Sequence, residues 1–321
     1  MDCSVIIPTY NRVNLVKYTL DSLNSTYHKE IDIEVIVVDD GSTDNTWEFI
    51  KANYPNVVLV KNRGKGAPSA RNEGLSIAKG KYIMYLDSDD LVGENYFREK
   101  LKALDGDRLL DACYGEYDCF KSDGDFSPNQ IQFKHKYPII EKKEESKQHL
   151  LYYLSGRYLP PNSIIWRADF LKKIRGHDTN LLINQDVELV IRAAFNGLKM
   201  VAVVDNTKVY IRSHSLDARV GSAENPEKLK QILALRKQIF TQLKANNLDS
   251  HENRAALSTY SFNFWKSTRH SFPEIANQFL QFAKEVSWPV EIKGDKVYRF
   301  LSKMVGPVNA VNIKYFILKR D

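Results

Sequence analysis

Tyr82-Ile83-Met84-Tyr85-Leu86 runs straight into Asp87-Ser88-Asp89-Asp90, and this junction constrains the fold more than any other stretch of the chain. A short continuous apolar run rich in strand formers is the pattern of a strand buried on both faces. Three carboxylates at its carboxyl end would stand in the crevice where open α/β sheets bind ligands. Asp87 and Asp89 are two residues apart, so extended backbone would point them the same way. Like charges that close are costly unless something positive lies between them. A hard divalent cation bridging to substrate phosphates meets that need, because magnesium and manganese favour oxygen ligands. In isolation such a turn can equally do no more than cap the next helix, so its neighbours decide.

The neighbours repeat the theme. Cys3 to Pro8 reads as a buried strand, Thr9 to Arg12 as a turn, and Asn14 as the cap of a helix carrying Leu15, Tyr18 and Leu23. Ile33 to Val38 is a second strand, running into Asp39-Asp40-Gly41-Ser42-Thr43-Asp44. A helix over 46–54 and a strand over 57–60 follow. Asn62-Arg63-Gly64-Lys65-Gly66-Ala67-Pro68 is a glycine-rich basic loop opening a small-residue helix. Glycine lets backbone approach a ligand closely, and Lys65 or Arg71 there would favour phosphates. The loop lacks the GxxxxGK[ST] order of a P-loop, and no GxGxxG follows the first strand. Strands alternating with helices predict a βαβ sheet with its polar turns on one edge.

SVIIPTYNR, VIVVDDGSTD, NRGKGAPSARNEGL and YIMYLDSDD, in this order and at these spacings, resemble the nucleotide-binding half of a family 2 glycosyltransferase. The resemblance covers the first 90 residues almost continuously. It implies an α/β fold of the GT-A type, Rossmann-like, and an inverting, metal-dependent transfer of a sugar from a nucleotide-diphosphate donor, with a UDP-sugar favoured. Asp87-Ser88-Asp89 resembles the family's DxD motif, which implies Mn2+ or Mg2+ bridging the diphosphate. Asp89 is then the stronger candidate for direct ligation, with Asp87 ligating, binding through water or facing the ribose. Asp39 or Asp40 would accept a hydrogen bond from the base. Pro8, Thr9 and Tyr10 would line the nucleoside pocket beside Arg12, with Arg71 reaching the base or phosphates and Lys65 and Ser88 close by.

Further along, helix is expected over 95–104, strand over 112–120, a hairpin turn over 121–125, and irregular chain over 127–147 with a solvated helix start at the charges of Glu141 to Glu145. Asn162 to Arg167 reads as a strand, then a short helix to Gly176. His177 to Leu189 resembles the family's passage from a "GxD" turn to an acidic pair at a helix start. Gln185 replaces the usual first acid, and Asp186 keeps the second, which makes it the implied general base. Capping would also explain a carboxylate in a first helical turn. Strands over 200–204 and 208–211 lead to Arg212-Ser213-His214, where the family often has an arginine-x-histidine element. His214 is therefore a candidate metal or phosphate contact, or simply a loop residue.

The expected organisation is a GT-A domain over 1–217, divided into a nucleotide-binding half (1–92) and an acceptor-binding half (93–217), with a helical region over 218–321. Its tail, 293–321, holds seven Lys/Arg and two Asp among many apolar residues. Such a segment either lies on an anionic membrane or docks its apolar face on the protein, and the pattern allows both.

The net charge of +6, from 46 basic and 40 acidic residues, is a mixed surface and not a nucleic-acid footprint. Cys3, Cys113 and Cys119 have no metal-ligand spacing and cannot all pair. No run is long enough to span a bilayer, and the N-terminus enters a strand pattern at once, so a cytoplasmic protein, free or at the inner membrane face, is expected. The acceptor would be a glycan or a lipid-linked saccharide of a bacterial surface polysaccharide. A sugar nucleotidyltransferase would need a glycine- and arginine-rich signature where Pro8 to Arg12 stands. A haloacid dehalogenase-like phosphatase would need DxDx[TV], which Asp87 to Leu91 does not supply. A non-catalytic nucleotide-sugar or glycan-binding protein is the remaining alternative.

Overall fold

The computed structural model describes residues 1–25, 31–121, 131–133, 146–213, 225–290 and 296–318. The chain divides into two compact units: Met1–His149 with Leu159–Val220, and Leu150–Tyr158 with Gly221–Asp321.

The first unit begins as alternating strands and helices: β1 (Cys3–Thr9), α1 (Val13–Ser25), β2 (Ile33–Asp39), α2 (Thr46–Asn53), β3 (Val58–Lys61), α3 (Gly66–Ile77) and β4 (Tyr82–Tyr85). β1, β2 and β4 are buried along their whole length, as parallel strands covered on both faces require. β1 lies between β2 and β4, pairing in parallel with both. The chain therefore proceeds from β1 to one side of the sheet and returns at β4 on the other, which makes the carboxyl ends of β1 and β4 the switch point where α/β sheets bind ligands. The register aligns Thr9 with Asp39 and Ile6 with Tyr85, just before Asp87.

After β5 (Leu91–Val92) and α4 (Tyr96–Gly106), the chain forms β6 (Ala112–Tyr114), β7 (Glu116–Phe120), β8 (Ile131–Phe133), α5 (Ser146–Leu154), β9 (Ile164–Arg167), α6 (Ala168–Lys173), α7 (Gln185–Phe195), β10 (Met200–Ala202) and β11 (Lys208–Arg212). The large sheet runs β10-β6-β9-β4-β1-β2-β3, and a second sheet runs β5-β11-β7-β8. The expected single strand over 112–120 is thus two strands in different sheets. They part at Gly115, whose N–H donates to Ser163 O (2.9 Å). A Cβ at Gly115 would lie 2.3 Å from Lys100 Cε, and Lys100 cannot retreat, because its buried ammonium is held by Asp205 and Thr207 at 2.9 Å.

Other corrections are local. Asn14 does not cap α1, because the helix already begins at Val13, where Asp44 Oδ2 accepts the Val13 N–H. Asn162 and Ser163 form a 3₁₀ turn with Pro161, and the strand begins only at Ile164. Asp87 to Asp90 is a turn closed by Asp90 N–H to Asp87 O (3.1 Å), so the Asp87 and Asp89 side chains do not project together from extended backbone. Most of the 121–147 stretch, including the proposed hairpin turn and the Glu141–Glu145 charges, lies outside the described residues.

The second unit holds α8 (Pro226–Ala245), α9 (His251–Thr268), α10 (Pro273–Val286) and α11 (Lys296–Leu318). Asn225 caps α8 and Ser250 caps α9, each side chain accepting a first-turn N–H. Leu229, Ile232, Leu257, Phe262, Phe279 and Phe282 are buried in it. α11 breaks at Gly306 (φ 80°), followed by Pro307. Among the described residues no helix is long and apolar enough to cross a membrane.

Candidate active site

Two acidic segments meet at the carboxyl edge of the large sheet. The first follows β2. Asp39 is buried, and its carboxylate accepts the Ser42 N–H (3.1 Å) and hydroxyl. Asp40 accepts the Gly66 N–H at 2.8 and 3.0 Å and the Asn62 amide at 2.6 Å, tying the glycine-rich loop to the strand end. The Asp40 N–H in turn donates to Thr9 O (2.8 Å), so Thr9, Asp39 and Asp40 share one floor. Pro8 and Thr9 are buried, while Tyr10 stands 52 % exposed above them. Lys65, exposed and extended, precedes the first residue of α3.

The second segment follows β4, where the partners are cationic side chains. Arg71, buried on α3, donates from Nη2 to Asp87 Oδ1 (2.8 Å), and its Nη1 lies 3.9 Å from Asp186 Oδ1. Arg12 Nε lies 3.9 Å from Asp89 Oδ2. Ser88 is buried between the two aspartates. Asp90, also buried, accepts the Arg212 N–H (2.7 Å) and the Asn162 amide, while Arg212 Nε donates to Asp89 O (3.0 Å). Asp90 thereby pins the end of β11 to the acidic turn. Burial pushes the Asp87 carboxyl up against the pull of Arg71, with Asp89 and Asp186 adding to the rise. Burial, Asp89 and Asp87 push Asp90 well above the usual carboxylate range.

Asp186 sits in the first turn of α7, after Asn184 in the left-handed region (φ 61°). Its Oδ1 is 3.2 Å from His177 Nε2. The His177 backbone is bracketed by one side chain: its N–H donates to Asn72 Oδ1 and Asn72 Nδ2 donates to its carbonyl, both at 2.8 Å. The Tyr85 ring meets the imidazole edge to face at 4.8 Å. Burial works to raise the Asp186 carboxyl, but Arg71 and the His177 hydrogen bond hold it below the usual range. Burial lowers His177, which is neutral at physiological pH. Gln185 turns back, donating from Nε2 to Leu181 O (2.8 Å), so the position next to Asp186 clasps its own loop.

Asp87, Arg71 and Asp186 are thus joined in one chain of contacts, with Asp89 and Arg12 beside them. His214 lies outside the described residues. Neither Asn72 nor His177 carries a role that the motifs imply. The available signal was position alone, since Asn72 follows Arg71 directly and His177 follows the glycine of the GxD-like turn.

Parallel β–α units with paired carboxylates and arginines at the switch point define an open α/β protein with a charged ligand crevice at its sheet edge. The chain belongs to glycosyl transferase family 2, whose pattern matches residues 4–175, more than half of the 321. It is 27 % identical over 310 residues to a poly(ribitol-phosphate) beta-glucosyltransferase of Bacillus spizizenii, covering 87 % of this chain and 46 % of that protein. It is 29 % identical over 244 residues to the amylovoran biosynthesis glycosyltransferase AmsB of Erwinia amylovora, covering 72 % of this chain and 75 % of that one. The chain spans less than half the length of the first curated relatives it matches, 46 % and 42 %. The crystal structure of Staphylococcus aureus TarS residues 1–349 in complex with UDP-GlcNAc superposes with a TM-score of 0.68 at 18 % identity, covering 100 % of this chain and 93 % of that one. The fold is therefore GT-A.

Proposed function

We propose that this chain is a metal-dependent, inverting glycosyltransferase that moves a sugar from a UDP-sugar to a hydroxyl of a glycan or lipid-linked saccharide in surface polysaccharide synthesis. The observation that carries this reading is Arg71, which joins the carboxylate at the end of β4 to the carboxylate at the start of α7. Donor and acceptor chemistry then share one centre.

Thr9, Tyr10 and Pro8 line the nucleoside pocket, with Asp39 or Asp40 accepting from the base. Arg12, Lys65 and Ser88 belong to the donor site, with Arg71 reaching the base or the phosphates. Asp87 and Asp89, with His214, would hold manganese or magnesium. Asp87 and Asp89 are hard oxygen donors of the kind magnesium and manganese favour, so the residues present fit such a cation. Such a cation, when bound, supplies Lewis-acid neutralisation of the leaving diphosphate. Asp186, side chain about one-third open at 32 %, takes the acceptor proton as the new C–O bond forms and the bond to the diphosphate oxygen breaks, which inverts the anomeric centre. Its lowered pKa keeps it ionised and ready. The hydroxyl becomes acidic only as attack proceeds, so placement matters more than resting basicity.

The membrane-facing alternative for the tail is part of the proposal. On α11, Phe300 and Met304 are 61 % and 67 % exposed, beside exposed Arg299 and Lys303. Apolar and basic side chains together suit an anionic bilayer.

The test is calorimetric titration with UDP, GDP and dTDP, with and without manganese, on wild type and Asp89→Ala. Manganese-dependent UDP binding that disappears in the variant is expected. Binding of no nucleotide would return the chain to a glycan-binding module.

A further inference from the structure

The proposed base takes a hydrogen bond from its own backbone N–H in the first turn of α7, and its side-chain partners come from other segments. Among the described residues, two side chains reach the Asp186 carboxylate, both at Oδ1: His177 Nε2 at 3.2 Å and Arg71 Nη1 at 3.9 Å. His177 is itself held on three sides. Asn72 takes both polar groups of its backbone, Tyr85 packs edge-on against its ring, and its side chain is fully buried. α3 therefore supplies both controls on the carboxylate, Arg71 directly and Asn72 through His177.

Burial keeps the imidazole neutral, so one ring nitrogen carries hydrogen and the other does not. Nε2 faces a carboxylate oxygen, which only accepts, so Nε2 carries the hydrogen and donates. His177 Nδ1 is buried without a hydrogen-bond partner. A bare lone pair there costs less than an unpaired N–H, and the same tautomer follows from both ends of the ring.

We propose that His177 is a positioning residue of the transfer reaction, its Nε2–H fixing Asp186 Oδ1 so that Oδ2 receives the acceptor proton. The inference rests on Asp186 being the base. In the step, the acceptor O–H bond breaks and its proton goes to Oδ2. The acceptor oxygen bonds to the anomeric carbon, and the electron pair of the old glycosidic bond leaves with the diphosphate. His177 donates throughout and gains no charge. The groups facing this pair are Arg71 from α3, Tyr85 and Asp87 from β4 and its turn, and Arg192 from α7. Among the described residues, His177 is the neutral side chain that donates to Oδ1.

The test compares wild type, His177→Phe, His177→Gln and Asp186→Asn by UDP release from UDP-glucose and UDP-N-acetylglucosamine with manganese, water serving as acceptor. Phenylalanine keeps the ring against Tyr85 and removes the donor, and glutamine restores an N–H at a similar reach. His177→Phe should lower kcat on the order of 10- to 100-fold with donor KM unchanged. It should also shift the acid limb of the pH profile upward, because the carboxylate loses a hydrogen bond that favours its charged form. His177→Gln should recover most of kcat and return the limb. A fully active His177→Phe beside an inactive Asp186→Asn would overturn the role of His177 alone. So would a loss in both His177 variants matched by weaker donor binding, which would mean a collapsed site. A fully active Asp186→Asn, or a wild type that releases no UDP from either donor, would instead overturn the transferase reading beneath it. If His177→Phe does not fold, the Gln variant decides: a loss of kcat without rescue of the limb counts against the proposal.

Discussion

The two acidic segments look alike in sequence and do different work. Asp39, Asp40 and Asp44 follow an apolar strand, as do Asp87, Asp89 and Asp90. In the first set every carboxylate is met by hydrogen-bond donors of turns and helix starts: Ser42 for Asp39, Gly66 and Asn62 for Asp40, Val13 and Thr46 for Asp44. Those donors shape the floor of the crevice and consume most of the carboxylates' capacity. In the second set Asp87 and Asp89 have long cationic side chains, Arg71 and Arg12, reached from other elements. Arginine is a mobile counterion that can be shared with phosphate, whereas a backbone N–H cannot move to a ligand. The difference separates a strand end that builds a pocket from one that handles charge.

That contrast is breakable in order of expected effect. Asp89→Ala should lower UDP release from a UDP-sugar by about 10²- to 10³-fold, with the urea midpoint unchanged or slightly higher, since one member of a like-charged group is gone. Asp40→Ala should act mainly on stability, costing about 1–2 kcal/mol by removing the acceptor of the Gly66 N–H and of the Asn62 amide, with a smaller loss of UDP release than Asp89→Ala. If the two variants behave alike in both assays, the division of labour fails.

Asp90 tests the boundary, because it belongs by sequence to the charge-handling set and by contacts to the building set. Asp90→Ala removes the buried carboxylate that accepts the Arg212 N–H and the Asn162 amide, and urea unfolding should show a loss of about 3 kcal/mol. A neutral result would mean that β11 is held at the acidic turn by other contacts.

The smallest effect concerns pH. Burial works to raise the Asp44 carboxyl, but hydrogen bonds from Thr46 and Val13 win and hold it below the ordinary value. A depressed folded pKa contributes stability in full above the unfolded value and loses it as pH falls through the folded one. Asp44→Asn should therefore flatten the decline of the unfolding midpoint between neutral pH and about pH 3. An unchanged slope would remove Asp44 from the set.

Periodicity and turn chemistry made much of this protein readable in advance. Apolar runs of strand length, helices between them and polar turns after each run are local patterns, so β1 to β4 and α1 to α3 follow from neighbours in sequence. The ordered motifs likewise identified the family, and Asp87, Asp89 and Asp186 as the residues to watch. What the tertiary structure alone decided is which partner each carboxylate has. Asn72 and His177 meet across 105 positions, Arg71 reaches Asp87 and Asp186 from a third element, and Gln185 folds back on Leu181. Where the chain passes between sheets near 115, a buried lysine leaves room only for glycine. None of these leaves a periodic trace. A hydrogen bond or ion pair is selected by the burial and geometry of groups that the chain brings together from afar, and side-chain identity fixes only what each group is able to give or accept.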